Sequence, residues 1–391
     1  MREGKLLALD IKPGEMPETR SGIQAFSPKI YARLADSGCA KDCAFVVVHP
    51  TNNFMNHYLV EPLERFGHAV LALNTRYLGN EAFLVFERAI QDVGSGIRYL
   101  REAGYRHVCL IGNSGGAALA ALYQAQAERL TITATPAGDP VTLTPDDLPP
   151  ADSIALIAAH PGRARTLTTR LDAAVINEAD IFATDPSLDI FDSKNGPPFS
   201  EEFLSRLRAA QIARNRRITE WCQARLRKFE ALSPAVPIRD QNFIVYRTMA
   251  DPRFIDLALE PNGRKPGTAL TENARAANLA TNGTAALASL RSWLSQWSYD
   301  HSRADGPARI SETSVPTLVI DYAADEIVYP SDREAWLQAL GARATMREIA
   351  GAGHYPQKTP GLVDEVAQSL VGWVEGQGKT VPSLREARAK D

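Results

Sequence analysis

A serine, an aspartate and a histidine, in that order along the chain, have the residue types that nucleophilic catalysis requires. Ser114 is the central residue of a Gly-Asn-Ser-Gly-Gly motif, Asp325 lies in the turn after an apolar run, and glycine-flanked His354 follows 29 residues later. A serine hydroxyl is a weak nucleophile until a histidine removes its proton and a carboxylate orients that histidine. The three residues therefore indicate covalent catalysis with Ser114 as the nucleophile.

The sequence around Ser114 is typical of a nucleophile elbow. Residues 108–111 are predicted to form a buried strand and residues 117–122 a buried helix, so the Gly-x-Ser-x-Gly pattern falls on a strand-to-helix turn. Flanking glycines let neighbouring backbone approach this strained turn, and the helix N-terminus directs free N–H groups towards developing negative charge. The alternative, a glycine-rich turn with an incidental serine, stays open on the motif alone.

The elements that position these residues alternate between strand and helix. Apolar, β-branched runs predict strands at residues 5–11, 23–34, 44–48, 68–74, 108–111, 153–159, 316–321 and 344–349. Helical spacing predicts helices at residues 81–103, 117–122, 333–340 and 361–374. This alternation predicts a parallel sheet with right-handed crossovers, whose strands carry ligand-binding loops at their carboxyl ends.

The alternation stops between residues 163 and 313, where helical, charge-rich sequence takes over. Ser200 suits the N-cap of a long helix, and a second helix is predicted at residues 285–297. Four side chains lie near the apolar stripe of the long helix: Phe203, Leu207, Gln211 and Arg214. We expect this face to close over Ser114 as a lid and these side chains to contact the substrate. The alternative for Arg214 is a stem on apolar surface with its charge in water.

Composition excludes several classes of function. The 43 basic and 46 acidic residues give a net charge of −3, which does not favour nucleic acid or an anionic membrane surface as a partner. No stretch has the length and apolarity of a membrane span, and the N-terminus does not resemble a secretory signal. Cys39, Cys43, Cys109 and Cys222 are too scattered for a disulfide framework. We therefore expect reduced thiols in a cytoplasmic protein.

Together the elbow, the aspartate turn and the glycine-flanked histidine resemble those of α/β-hydrolase-fold serine hydrolases. The resemblance covers residues 44–162 and 316–374 but not the insertion. It implies a mostly parallel eight-stranded sheet with helices on both faces, built from residues 1–162 and 314–375. Residues 163–313 would be a large helical lid, and residues 376–391 a polar tail.

The resemblance also implies the roles of the three residues. Ser114 attacks a carbonyl, His354 is the general base and then the general acid, and Asp325 orients His354. No metal or organic cofactor is implied. Three other acids near that position have simpler interpretations, Asp321 as a strand end and Glu326 and Asp332 as solvated turn or helix residues.

The second donor of the oxyanion hole is harder to assign. The family's oxyanion loop often begins His-Gly, whereas here His49 precedes a proline, which has no N–H to donate. The predicted donors are therefore the backbone N–H of Gly115 and that of either Thr51 or Asn52. The side chains of Asn52 and Asn53 either assist or shape the turn.

His49 and His160 both end predicted strands at the active edge of the sheet. We count them, with Asn53, as candidate substrate contacts. The alternative for each histidine is a hydrogen-bonded structural role.

The sequence thus predicts a hydrolase of carboxylic esters acting through an acyl-enzyme on Ser114. An amidase or an acyltransferase would use the same triad, and a non-catalytic binding protein is the rival from another class. A serine nucleophile argues against the aspartate-dependent dehalogenases and epoxide hydrolases of this fold. The expected partner is a small-molecule ester or related acyl compound, and the oligomeric state, monomer or homo-oligomer, stays open.

Overall fold

The structure is organised around a large β-sheet. It is a computed structural model and describes residues 4–13, 27–36, 38, 41–232, 240–269 and 271–377. These residues form ten strands: β1 (Lys5–Asp10), β2 (Lys29–Ala35), β3 (Cys43–His49), β4 (Ala69–Asn74), β5 (His107–Asn113), β6 (Ser153–Ile157), β7 (Asn242–Ile244), β8 (Leu287–Ser289), β9 (Thr317–Tyr322) and β10 (Ala344–Ile349). Eight of them make one sheet in the order β1-β2-β4-β3-β5-β6-β9-β10, and β7 pairs separately with β8.

The sheet is parallel from β4 to β10 and antiparallel where β1 and β2 join it. Every residue of β3, β4, β6 and β9 is buried, which explains why these strands are continuous apolar runs without polar alternation. The predicted mostly parallel, eight-stranded sheet is confirmed. Because β5 lies between β3 and β6, the turn that follows β5 is at the centre of the sheet edge.

Helices cover both faces of the sheet. The described residues contain α1 (Val60–Arg65), α2 (Phe86–Glu102), α3 (Gly116–Glu128), α4 (Arg163–Arg170), α5 (Glu201–Glu230), α6 (Ala274–Leu279), α7 (Leu290–Ser292), α8 (Gly306–Ile310), α9 (Pro330–Leu340) and α10 (Leu362–Gln377). The apolar residues of α2 and α3 share one core cluster, and those of α1 and α10 share another on the opposite face.

Two predicted helices differ from the structure. The helix predicted at residues 81–103 is a short 3₁₀ turn, Glu81–Phe83, followed by α2, because Val85 between them is extended. The N–H of Phe86 donates to Ser295 Oγ at 2.8 Å, so a side chain more than 200 residues away holds this break. The helix predicted at residues 285–297 begins instead as β8, which pairs with β7 before α7 and a π-helical turn, Trp293–Trp297.

The segment between β6 and β9 contains the predicted insertion. Ser200 caps α5 as predicted, because its side chain accepts the N–H of Phe203 at 3.2 Å. Further along α5, Ile218, Cys222 and Leu226 pack in one buried cluster with the two tryptophans of the π-helical turn. The long helix therefore has apolar partners within the insertion itself.

Some sequence predictions fall partly or wholly outside the described residues. These are Cys39, the first residues of the strand predicted at 23–34, and residues 378–391 of the predicted tail. Cys43, Cys109 and Cys222 are buried free thiols. Within the described ranges, no helix combines the length and apolarity that a bilayer span needs. The same residues contain no cluster of three metal-binding side chains.

Candidate active site

Ser114 lies in a strained turn between β5 and α3. Its φ is 53°, a left-handed value that a non-glycine residue seldom adopts, and its N–H donates to the carbonyl of Ile157 at 2.9 Å. Two glycines allow this turn to pack. A Cβ on Gly112 would lie 2.6 Å from Ala117 Cα, and one on Gly116 would overlap the carbonyl oxygen of Val48. The Gly-x-Ser-x-Gly pattern therefore reflects close backbone approach at both flanks.

The structure brings Ser114, His354 and Asp325 together. His354 Nε2 lies 3.0 Å from Ser114 Oγ, and His354 Nδ1 lies 2.8 Å from Asp325 Oδ2 and 3.1 Å from Asp325 Oδ1. Asp325 follows β9 and His354 follows β10, so all three residues are on loops at the carboxyl edge of the parallel strands. A proton on Nδ1, donated to the carboxylate, leaves Nε2 free to accept the serine proton.

Backbone groups fix the orientation of Asp325. Its side chain is 1% exposed, and Oδ1 accepts the N–H groups of Ile327 at 2.7 Å and Val328 at 2.9 Å. These bonds turn Oδ2 towards His354. Glu326 holds the other partner of this pair, because its Oε2 accepts the backbone N–H of His354 at 3.1 Å.

The other two candidate acids are engaged elsewhere. Asp321 pairs with Arg333 at 2.9 Å. Asp332 accepts the N–H of Tyr329 at 3.0 Å at the start of α9, and burial raises its pKa to about 6. Asp332 is partly buried and caps α9, which differs from the solvated residue that the sequence suggested.

The structure turns both predicted second oxyanion donors towards His49. The backbone N–H groups of Thr51 and Asn52 donate to His49 Nδ1 at 3.1 and 2.9 Å. An imidazole that accepts at Nδ1 carries its proton on Nε2 when neutral. Burial and the charge of Arg163 lower the pKa of His49, which keeps it neutral. Thr51 and Asn52 were expected to offer one N–H group to the oxyanion, but in the structure His49 Nδ1 accepts both of these N–H groups.

His160 has the same arrangement on the neighbouring strand end. Its Nδ1 accepts the N–H of Gly162 at 3.2 Å, and burial, followed by the charge of Arg170, lowers its pKa to about 3. A Cβ on Gly115 would lie 3.0 Å from His49 Nε2 and 3.2 Å from His160 Nε2. Two neutral imidazoles thus place their Nε2–H groups against the residue after the nucleophile, and neither Nε2 has a hydrogen-bond partner among the described residues.

Two hydrogen bonds hold the side chain of Asn53 within this loop. Asn53 Oδ1 accepts the N–H of Met55 at 3.1 Å and Asn74 Nδ2 at 2.9 Å, so this side chain shapes the turn. Both Asn52 and Asn53 border the cleft above Ser114.

That cleft has a volume of about 480 Å³ and lies between the sheet edge and the insertion. Its walls include Arg163, Thr166, Arg170 and Trp297 from the insertion. The sequence alone does not predict these four residues as part of the site. Arg163 donates to Thr51 Oγ1 at 2.9 Å and Gln296 Oε1 at 3.0 Å, and it pairs with Glu81. The sequence held one signal for these wall residues. Helix α4 begins directly after His160-Pro161-Gly162, which follows β6, so its first turn has to lie at the active edge of the sheet.

The four candidate contacts on α5 are placed differently from the prediction. Phe203 and Leu207 pack in an apolar cluster with Phe199 and Ile190, away from the walls of the cleft. Gln211 donates to the carbonyls of Thr169 at 2.8 Å and Leu171 at 3.0 Å, and it borders a second cavity beside the cleft.

Arg214 is a buried structural residue, neither a cleft residue nor a solvated one. It is 1% exposed, forms a bidentate pair with Glu178 at 2.9 and 2.8 Å, and donates to three backbone carbonyls. The expectation that Arg214 holds a polar group of the substrate is wrong, because its charge and donors are already satisfied.

Buried neutral histidines make the stability of the fold depend on pH. Burial lowers the pKa of His57 from 6.5 to about 4 and that of His160 to about 3. Below pH 6.5 the unfolded chain binds protons that the folded chain does not, so stability falls as pH falls towards 4. Each histidine contributes up to about 1.4 kcal/mol per pH unit, whereas Asp332, whose pKa is raised, acts in the opposite direction.

We expect His57→Gln to weaken the loss of stability between pH 6.5 and pH 5. The measurement is the free energy of urea unfolding at both pH values for wild type and variant. The difference between the two slopes isolates His57 from other titrating groups. An unchanged slope would mean that His57 titrates normally in the folded protein.

Solved structures share this fold. The α/β hydrolase GrgF from Penicillium sp. sh18 matches with a TM-score of 0.51 and 8% identity, over 94% of this chain and 96% of that chain. The structure of DcsB in complex with its substrate analogue matches with a TM-score of 0.50 and 10% identity, over 95% and 99%. No protein-family model matches the sequence, and no curated protein matches it significantly. The chain has the α/β-hydrolase fold.

Proposed function

We propose that this protein is a serine hydrolase that cleaves a carboxylic ester through an acyl-enzyme on Ser114. The observation that carries the proposal is the continuous hydrogen-bonded chain from Ser114 Oγ through His354 to Asp325, with 3.0 and 2.8 Å separations. The α/β-hydrolase fold supports the hydrolase class, and GrgF is itself described as an α/β hydrolase. The cleft of about 480 Å³ suits a small-molecule substrate.

The proposed reaction assigns each step to one of these residues. His354 Nε2 accepts the proton of Ser114 Oγ as that oxygen attacks the carbonyl carbon of the ester. The same proton then moves from Nε2 to the departing alkoxide, which leaves an acyl group on Ser114. Water, deprotonated by His354, releases the acid and restores the serine. Asp325 stabilises the imidazolium that forms in both half-reactions.

We further propose that the oxyanion is held by the N–H of Gly115 and the Nε2–H groups of His49 and His160. Gly115 precedes the first residue of α3, so its N–H lacks an intrahelical acceptor. Both imidazole Nε2 atoms lie against Gly115, in the cleft that contains Ser114. A neutral imidazole needs no proton rearrangement before it donates, and donors fixed in advance stabilise the tetrahedral intermediate most effectively.

Removing one of these imidazoles should lower kcat more than it raises KM. We expect His160→Phe to reduce kcat by about 10²-fold, the typical cost of one oxyanion donor, while His160→Gln retains more activity because its amide can donate. The measurement is steady-state hydrolysis at pH 8, with thermal unfolding to check the fold. Equal kcat for wild type and His160→Phe would remove His160 from the oxyanion hole.

The insertion is proposed to act as a lid over the cleft. Residues from α4 and from the end of the π-helical turn form one wall of the cleft opposite the sheet edge. Arg163 joins this wall to the sheet, because it contacts both Thr51 and Gln296. The wall excludes water from one side of Ser114 and limits the shape of the acyl group.

An ester hydrolase, an amidase, an acyltransferase and a non-catalytic binding protein make different predictions in one experiment. Wild-type protein is treated with a fluorophosphonate probe and then assayed on esters, amides and lactones of graded chain length, with Ser114→Ala as the blank. Labelling at Ser114 together with ester turnover supports the proposal. Turnover of amides alone, or acyl transfer to an added alcohol without hydrolysis, would favour the alternatives with the same triad. A failure of Ser114 to label would favour a binding protein.

A further inference from the structure

We propose that the active site selects esters that carry a carboxylate, which is bound by Arg170 at the junction of the cleft with a second cavity. This inference rests on the proposed hydrolase function. It adds a substrate class and a recognition residue that the triad does not specify.

Two cavities adjoin at Arg170. The cleft above Ser114 and a neighbouring cavity of about 460 Å³ share three wall residues, Thr166, Arg170 and Ile327. Thr166 and Arg170 lie on one face of α4, four residues apart, and Arg163 is on the same face one turn earlier. A substrate that extends from Ser114 into the second cavity therefore passes the guanidinium of Arg170.

Arg170 is a buried cation that has no compensating anion in the part of the chain that the structure describes. It is 8% exposed, and among the described residues its guanidinium has neither a carboxylate nor a hydrogen-bond acceptor, only the ring of Phe254 with its centroid at 5.7 Å. Burying a charge without a partner is costly, so such groups are normally paired. A carboxylate on the ligand would supply the missing partner, with two oxygens that match the guanidinium fork.

The other buried arginines nearby are already neutralised. Arg163 pairs with Glu81, and Arg253 pairs with Asp251 at 2.7 Å and with Glu260 at 2.9 Å. The remaining acid of the second cavity, Asp332, accepts the N–H of Tyr329. Among the described residues of the shared wall, Arg170 is thus the positive charge that no anion pairs with.

The charge of Arg170 also reaches the reacting groups. After burial, Arg170 is the largest cause of the lowered pKa of His160, whose Nε2 lies against Gly115. The recognition site and the oxyanion site are thus adjacent. A single guanidinium balances a single negative charge, which favours a carboxylate over a doubly charged phosphate ester.

The test uses two matched series of 4-nitrophenyl esters. One series has dicarboxylic acid monoesters from glutarate to suberate, and the other has the corresponding esters with a methyl in place of the free carboxylate. A third set carries the carboxylate on the alcohol side. Wild type, Arg170→Met, Arg170→Lys and Arg216→Met are compared, with Ser114→Ala as the blank for spontaneous hydrolysis. Arg216 is an exposed arginine of the insertion that pairs with Asp300, and it controls for loss of one positive charge.

We expect Arg170→Met to lower kcat/KM for the best carboxylate ester about 10- to 100-fold more than for its neutral counterpart. Arg170→Lys should recover part of this difference, and Arg216→Met should leave the ratio between the two esters unchanged. Equal effects of Arg170→Met on charged and neutral esters would overturn the assignment of Arg170. Failure of wild type to hydrolyse any ester or to label at Ser114 would instead overturn the proposed function.

Discussion

Ser114→Ala is expected to lower kcat by about 10⁴- to 10⁶-fold and to leave the fold intact. Alanine removes only the hydroxyl that attacks the carbonyl. The strained φ of 53° costs serine and alanine about the same, so the substitution adds no backbone strain. His354→Ala should lower kcat to a similar extent, because without Nε2 at 3.0 Å from Ser114 Oγ the hydroxyl keeps its proton. The measurement is burst and steady-state hydrolysis of the best substrate from the ester screen.

The double variant Ser114→Ala/His354→Ala provides the control. Since the two residues act in one step, the double variant should be no slower than either single variant. Unfolding temperatures of all three should agree with wild type to within a few degrees. Near-normal turnover by Ser114→Ala would refute the nucleophile, and multiplicative losses in the double variant would refute the shared step.

Asp325→Asn should cost about 10⁴-fold in kcat, far more than Asp332→Asn. The reason lies in the two N–H groups, from Ile327 and Val328, that point at Asp325 Oδ1. They would hold the carbonyl oxygen of the asparagine and turn its NH₂ towards His354 Nδ1. That imidazole would then accept at Nδ1 and carry its proton on Nε2, where it cannot take the serine proton.

Asp332→Asn is the control, because Asp332 is a nearby, partly buried carboxylate that accepts the N–H of Tyr329 and does not contact the catalytic histidine. It should change stability more than kcat. The pH dependence of kcat distinguishes a wrong histidine tautomer from misfolding as the cause of any loss of activity. A tautomer effect in Asp325→Asn should be partly relieved at high pH, whereas misfolding should not. Equal loss of kcat at the two positions would remove Asp325 from the triad.

Several features could be predicted from the sequence because they depend on local patterns. Strands buried on both faces have to be continuous apolar runs, so residues 44–48 predicted β3 within one residue at each end. The glycines beside Ser114 indicated a tight turn, and the structure shows the overlaps that any Cβ would cause there. Parallel strands put their carboxyl ends at one edge, so the convergence of Ser114, Asp325 and His354 followed from their positions after strands.

Tertiary contacts decided what local patterns could not. The break before α2 depends on a hydrogen bond from Phe86 to Ser295, and β8 exists because β7 is beside it. Neither partner can be identified from spacing along the chain. The helical pattern at residues 285–297 therefore could not show that Leu287–Ser289 pair with β7 as a strand.

The same reason explains the errors in the candidate site. A backbone N–H after β3 was expected to hold the oxyanion, but the ring of His49 accepts both candidate N–H groups. Arg214 looked available on its helix, yet Glu178 neutralises it, whereas Arg170 has no such anion among the described residues. The sequence determined which side chains can carry charge or donate a proton. Only the tertiary structure determined which of them are already paired, because each partner comes from a distant part of the chain.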